Sequence, residues 1–167
     1  MIYFITGGQR SGKSSYAQKL ALKLSENPLY IATSRVWDED HKKRILRHKD
    51  DRNNKWTTIE EEKYFSRIEL NNKVAVIDCI TLWLTNYFVD NHYNIDKILD
   101  LVKSELNILA KADATIIIVS NELGMGLHAE TEVARKFTDL QGWTNQYIAE
   151  MADKVFLMVS GIPIQVK

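Results

Sequence analysis

Short apolar runs separated by longer amphipathic stretches set the rhythm of this chain. Ile2-Tyr3-Phe4-Ile5, Leu29 to Ala32, Val74-Ala75-Val76-Ile77-Asp78, Thr115 to Ser120 and Val155 to Val159 are nearly continuous in apolar residues. That is the pattern of strands buried on both faces. Ser14 to Leu24 sets Ala17, Leu20, Ala21 and Leu24 on one helical face, and Asn27-Pro28 stops it. Asp38 to Lys49 is predicted helical, with acids in its first turn and a basic run behind them, an order that suits the helix dipole. Trp56 to Ile59 is expected to extend, Glu60 to Leu70 to form a helix, and Asn71-Asn72 a turn. Ile80 to Val89, Ile95 to Ala112 and Glu130 to Ala152 read as helices, and Ser160-Gly161 turns the chain into Ile162 to Val166, a terminal β-hairpin. This alternation predicts one α/β domain over residues 1–167, a mostly parallel sheet flanked by helices on both faces. Ligands in such sheets sit at the carboxyl ends of the strands.

The turn after the first strand narrows the fold to a P-loop NTPase-like one. Gly7-Gly8-Gln9-Arg10-Ser11-Gly12-Lys13-Ser14 is a complete G-x-x-x-x-G-K-[ST] phosphate loop with a strand before it and a helix after it. Its glycines let successive backbone N–H groups turn inward around a phosphate, Lys13 reaches the β/γ oxygens, and the Ser14 hydroxyl is placed for Mg2+. The helix N-terminus adds its positive end. Asp78, which closes an apolar strand, is a second anchor for that metal ion; its other reading is an N-cap for the following helix.

Polar groups also follow the other strands. Thr33-Ser34-Arg35 comes after Ala32, and Asn121-Glu122-Leu123-Gly124-Met125-Gly126 comes after Ser120. The two glycines of the latter either permit a sharp strand-to-helix turn or bring backbone against substrate. A guanine-reading N-K-x-D segment is not found, since Asn72-Lys73-Val74-Ala75 lacks the acid and precedes a strand. Helical spacing sets His41, Arg44 or Ile45, and His48 along one side of the basic segment. An imidazole among guanidinium groups suits attack on phosphorus, the arginines holding phosphate while the neutral ring supplies a lone pair. Trp37, Trp56, Trp83 and Trp143 are expected to pack or to meet a neighbouring subunit, and Cys79 to be a small core residue.

Composition removes several other classes. Lys plus Arg and Asp plus Glu are equal at 22 each, which leaves no surplus positive field for a nucleic-acid backbone. The single Cys79 cannot form an internal disulfide, the first residues lack a signal-peptide pattern, and no apolar run is long enough to span a bilayer. A cytoplasmic protein without membrane insertion is expected.

The ordered set of motifs resembles the bifunctional adenosylcobinamide kinase/adenosylcobinamide-phosphate guanylyltransferase family from end to end. It comprises the phosphate loop, then Tyr30-Ile31-Ala32-Thr33-Ser34, then Arg44-Ile45 with His48, Arg52, Trp56 and Thr58. Asn121 to Gly126 follows, and then Arg135, Phe137, Asp139, Gly142, Asn145 and Gln146. The resemblance implies phosphorylation of the aminopropanol hydroxyl of adenosylcobinamide with ATP or GTP. GMP transfer from GTP onto that phosphate then gives adenosylcobinamide-GDP and pyrophosphate in cobalamin assembly and salvage. It implies a guanylylated histidine at His48 and guanine-nucleotide contacts at Ala32, Thr33, Ser34, Lys49, Asp50, Asp51, Arg52, Glu60 and Asp78. It also implies a homotrimer. The chain departs from the family in having Asp50-Asp51-Arg52-Asn53 where Asp-Gly-Arg-Pro is frequent, Asp78 where some relatives have glutamate, and Ala129 where proline is common. Rival readings are a plain small-molecule kinase in which His48 only binds phosphate, and a nucleotide-binding regulatory module without turnover.

Overall fold

The computed structural model describes residues 1–35 and 54–167, so the predicted helix Asp38 to Lys49 lies outside the described residues. Seven strands form one sheet: β1 (Ile2–Gly7), β2 (Leu29–Ala32), β3 (Thr57–Glu60), β4 (Val74–Asp78), β5 (Thr115–Val119), β6 (Lys154–Val159) and β7 (Ile162–Gln165). Their order is β3-β2-β4-β5-β1-β6-β7, parallel throughout except for the antiparallel pair β6 and β7. Helices α1 (Lys13–Leu24), α2 (Ile80–Asp90), α3 (Ile95–Lys111) and α4 (Glu132–Met151) connect them. Each of these elements lies within two residues of its predicted bounds. Among the described residues no helix is long and apolar enough to cross a membrane.

Side chains alternate across each strand, so an all-apolar strand must feed two cores. Ile2, Phe4, Ile31, Ile77, Ile116 and Ile118 face one side, where α2, α3 and α4 supply Trp83, Leu84, Leu106 and Ile148. Tyr3, Ile5, Tyr30, Val76, Ile117 and Val119 face the other, which α1 covers with Ala17 and Ala21. Small residues on α1 let its backbone approach the sheet closely, and that proximity fixes its N-terminus over the end of β1.

Among the described residues one predicted element is absent. Glu60 to Leu70 is not a helix: β3 ends at Glu60, and a single 3-10 turn covers Phe65–Arg67. The physical reason is that side chains satisfy its backbone instead. The Glu61 carboxylate accepts from Lys63 N and Tyr64 N at 2.9 Å each, and Glu105 of α3 accepts from Ser66 N at 3.0 Å. The Lys63 carbonyl takes donors from both Trp83 Nε1 and Tyr87 Oη at 2.9 Å. Phe65, fully buried, stacks on Trp83 with ring centroids 4.7 Å apart. An aromatic pair and imported hydrogen bonds outweigh the modest helix propensity of the segment.

Because Phe65 fills the space beneath the turn, Phe65→Ala should destabilise the fold by about 3–5 kcal/mol. Urea denaturation measures this, and a loss below about 1 kcal/mol would show that the turn lies outside the cooperative core.

Candidate nucleotide site

Parallel strands in register deliver their carboxyl ends to one edge, and the polar residues predicted from sequence converge there. Glu60, Ala32, Asp78, Val119 and Ile5 form one continuous row across β3, β2, β4, β5 and β1. Two residues past Ile5 the chain leaves the sheet at Gly7, turns through Gly8 to Gly12 and enters α1 at Lys13 and Ser14. All eight motif residues therefore occupy the strand-to-helix junction that phosphate binding requires.

The junction depends on particular backbone at two positions. Gly12 caps α1 with φ +92°, and a Cβ there would lie 3.1 Å from the Gly161 Cα. A Cβ on Gly7, with φ +149°, would meet the Met158 carbonyl oxygen at 2.6 Å. The hairpin turn between β6 and β7 is thus pressed against the loop, and Gly161 N donates to the Ser11 carbonyl at 2.9 Å. Arg10 itself takes φ +61° at the exposed tip.

Lys13 is only 7% exposed, and its Nζ donates to the Gly8 carbonyl at 2.6 Å and to Ser11 Oγ at 3.5 Å. Burial pushes its ammonium below the ordinary lysine value, opposed by the negative potential of Asp78. The first turn of α1 has no acidic residue, so Lys13 and the helix N-terminus present unneutralised positive potential to an anion.

Asp78 does not cap α2. The N-cap is Cys79, without a side-chain cap, and Asp78 Oδ2 instead accepts from Tyr30 Oη at 2.8 Å. Thr33 ties β2 to the same turn, its Oγ1 donating to the Cys79 carbonyl at 2.7 Å and accepting from Cys79 N at 2.9 Å. Asn86, fully buried on α2, donates to the Thr33 and Glu62 carbonyls at 2.8 and 3.0 Å. Burial pushes the Cys79 thiol up to about 12, so it stays protonated and inert at neutral pH. No group of three or more His, Cys, Asp or Glu capable of holding a metal occurs among the described residues. An ion held by Ser14 and Asp78 would have to complete its shell with phosphate oxygens and water. That donor set suits Mg2+, which keeps several waters and pairs one or two protein oxygens with phosphates.

The structure thus places the phosphate loop, Ala32-Thr33-Ser34, Glu60 and Asp78 on one edge, with Asp78 and Thr33 joined through Cys79. His48, Lys49, Asp50, Asp51 and Arg52 lie outside the described residues. Two polar clusters escaped the sequence reading. Arg35 donates to Glu62 and, through both terminal nitrogens, to Asp90 at 2.8 and 2.9 Å, while Lys63 also contacts Asp90. These cations, Arg35 foremost, hold the Asp90 carboxyl well below the usual carboxylate range. No local spacing announces a pair 55 residues apart. The second cluster, Ser120, Gln141 and Asn145, had a signal: Gln141, Thr144 and Asn145 recur at helical spacing between the buried Leu140 and Ile148.

The chain matches the family described as "Cobinamide kinase / cobinamide phosphate guanyltransferase" over residues 3–166. It is 34% identical over 182 aligned positions to the bifunctional adenosylcobalamin biosynthesis protein CobU of Escherichia coli K12, spanning all of both chains. It is 36% identical to the bifunctional adenosylcobalamin biosynthesis protein CobP of Pseudomonas aeruginosa, covering 98% of this chain and 95% of that one. Among solved structures the likeness is weaker, for example to the flagellar accessory protein FlaH from Methanocaldococcus jannaschii, with a TM-score of 0.46 at 14% identity over 99% of this chain and 77% of that one. A phosphate loop at the end of β1, an acid at the end of β4 and similarity along the whole length lead to one conclusion: this chain belongs to the cobinamide kinase/cobinamide phosphate guanyltransferase family.

Proposed function

We propose that this protein carries out two successive reactions on adenosylcobinamide: phosphorylation of its aminopropanol hydroxyl by ATP or GTP, then GMP transfer from GTP onto the new phosphate. The observation that carries this reading is family similarity from end to end on a phosphate loop with Lys13 buried and Asp78 on the same edge. The products are adenosylcobinamide-GDP and pyrophosphate, and the setting is cobalamin biosynthesis in the cytoplasm, where nucleoside triphosphates are made.

In the first reaction Gly7 to Ser14 cradle the polyphosphate, and Lys13 meets the charge that develops on the transferring group. Ser14 and Asp78 would hold Mg2+, which when bound neutralises charge on the phosphate oxygens. In the second, a neutral His48 nitrogen attacks the α-phosphorus of GTP, so that a P–N bond forms, the bridging P–O bond breaks and pyrophosphate leaves. A phosphate oxygen of adenosylcobinamide phosphate then attacks the same phosphorus, the P–N bond breaks and the imidazole is restored. Ala32, Thr33, Ser34, Lys49, Asp50, Asp51, Arg52 and Glu60 complete the proposed guanine-nucleotide contacts. The support for His48 is the family resemblance together with the cations beside it in sequence, Arg44, Arg47 and Lys49.

The homotrimer implied by the same resemblance finds support in the terminal hairpin, where Ile162 and Ile164 of β7 and Val166 just beyond it are 66%, 47% and 61% exposed. Light scattering should return three times the chain mass of 19.3 kDa, and a monomer at micromolar concentration would refute this. Lys13→Ala removes charge stabilisation common to both nucleotide reactions and should lower each by at least ~100-fold. Steady-state assays of phosphate and GMP transfer measure it, and near-normal rates would sink the phosphate-loop assignment. Incubation with GTP labelled at the α-phosphate should leave covalent GMP that falls off in mild acid and survives alkali, because protonation of the bridging nitrogen labilises the P–N bond. His48→Ala should abolish that label and GMP transfer while phosphorylation of adenosylcobinamide persists. Acid-labile GMP retained on His41, His92 or His128 in this variant would show the assignment to be wrong.

A further inference from the structure

Strand β5 lies between β1, which leads into the phosphate loop, and β4, which ends in Asp78. Whatever leaves the carboxyl end of β5 therefore emerges between Lys13 and Asp78, and the residues that do so are Asn121 and Glu122. Their shared peptide unit is clamped at both ends: the Asn121 carbonyl accepts from Asn145 Nδ2 at 3.0 Å, and Glu122 N donates to the Gly7 carbonyl at 2.9 Å. Asn121 is fastened again to the turn after Asp78, its backbone N and Nδ2 donating to Thr81 Oγ1 at 3.2 and 3.0 Å.

Asn145 is itself held. Its Oδ1 accepts from Ser120 Oγ at 2.7 Å and from Gln141 Nε2 at 3.1 Å, and Gln141 Nε2 also donates to Ser120 Oγ at 2.9 Å. Ser120, Gln141 and Asn145 are 0%, 1% and 7% exposed, and Gln141 Oε1 has no partner among the described residues. Burying amides beside an apolar core is unfavourable unless they are satisfied, and an aliphatic residue would pack there without that cost. Their effect is to fix the first residues beyond β5 to a single geometry.

We propose that Glu122 is the general base of the phosphoryl-transfer step and that Asn145 is the residue that positions it. This rests on the kinase reading above and adds a group to it. The two reactions differ in what their acceptors need. An aminopropanol hydroxyl must lose a proton as it attacks, whereas the phosphate that accepts GMP is already an anion. In the step, the hydroxyl proton passes to a Glu122 carboxylate oxygen as the O–P bond to the γ-phosphorus forms. The bond from that phosphorus to the β–γ bridging oxygen breaks, and the nucleoside diphosphate leaves. Of the described carboxylates at or just past strand ends on this edge, Glu60 is four strands from β1, Asp78 two strands away, and Glu122 three residues past the end of the adjacent strand β5. With strands about 4.8 Å apart, Glu60 lies too far from the phosphate loop to serve. Glu122 Oε1 accepts from Gly124 N at 2.7 Å, which ties the partly exposed carboxylate to the backbone at the start of the loop. A Cβ at Gly124 would sit 3.1 Å from the same oxygen, a tight approach that a small shift of the Glu122 side chain relieves.

The test measures adenosylcobinamide phosphorylation, and separately GMP transfer to supplied adenosylcobinamide phosphate, in wild type, Glu122→Gln and Asn145→Ala. Glu122→Gln should lower kcat of phosphorylation by about 100-fold or more, with the nucleotide KM within about threefold and GMP transfer within about threefold of wild type. Asn145→Ala should lower the same kcat by about tenfold and likewise spare GMP transfer, a selectivity that a general loss of structure would not produce. Glu122→Gln phosphorylating within about threefold of the wild-type rate, or losing both activities equally, overturns the inference while the kinase reading stands. Wild-type protein that turns over neither substrate overturns that reading, and the inference with it.

Discussion

A buried lysine behind the phosphate loop is a demanding group in this fold, and much of the architecture follows from it. Lys13 is 7% exposed at a helix N-terminus whose dipole is itself positive, with no acid in the first turn of α1. An unpaired buried charge costs several kcal/mol. The Gly8 carbonyl and the negative potential of Asp78 offset part of that cost, and a polyphosphate supplies what remains. The desolvation that lowers the Lys13 pKa also strengthens its attraction for an anion, because fewer waters screen it. Replacing Gly7 or Gly12 by larger residues would disturb that balance through the backbone rather than through charge.

Sheet order sets this local arrangement in line with the carboxyl ends of β5, β4, β2 and β3. Asp78 is separated from the phosphate loop by β5 alone, roughly 10 Å across two strand spacings, a span a triphosphate with its metal can bridge. Glu60 and Ala32 extend the same row toward the far edge, where the Arg35, Glu62, Lys63 and Asp90 ion pairs tie the ends of β2, β3 and α2 together. Phosphate handling and the proposed guanine contacts thus occupy neighbouring stretches of one row.

Most of this was legible in the sequence because the signals were local. Buried parallel strands announce themselves as unbroken apolar runs, and the phosphate loop carries its own geometry in its glycines. Glu60 to Leu70 failed for the opposite reason: what shapes it comes from Glu105, Trp83 and Tyr87, far along the chain, and local periodicity cannot register a distant carboxylate capping a turn. The Ser120, Gln141 and Asn145 cluster was half legible, as a polar stripe on a helix face whose destination only the packing reveals. His48 differs again, since spacing alone sets it beside His41 on the same predicted face, and resemblance is what separates them.

The contact between Gly161 and the phosphate loop joins residue 11 to residue 161 and has a consequence in time. The glycine-rich turn leaves the ribosome long before the hairpin that braces it. In that interval the motif is a flexible turn without its full mould, and β1 lacks its β6 neighbour as well. The mould around the phosphate loop is therefore completed late, as the hairpin strands close over a sequence made well before them.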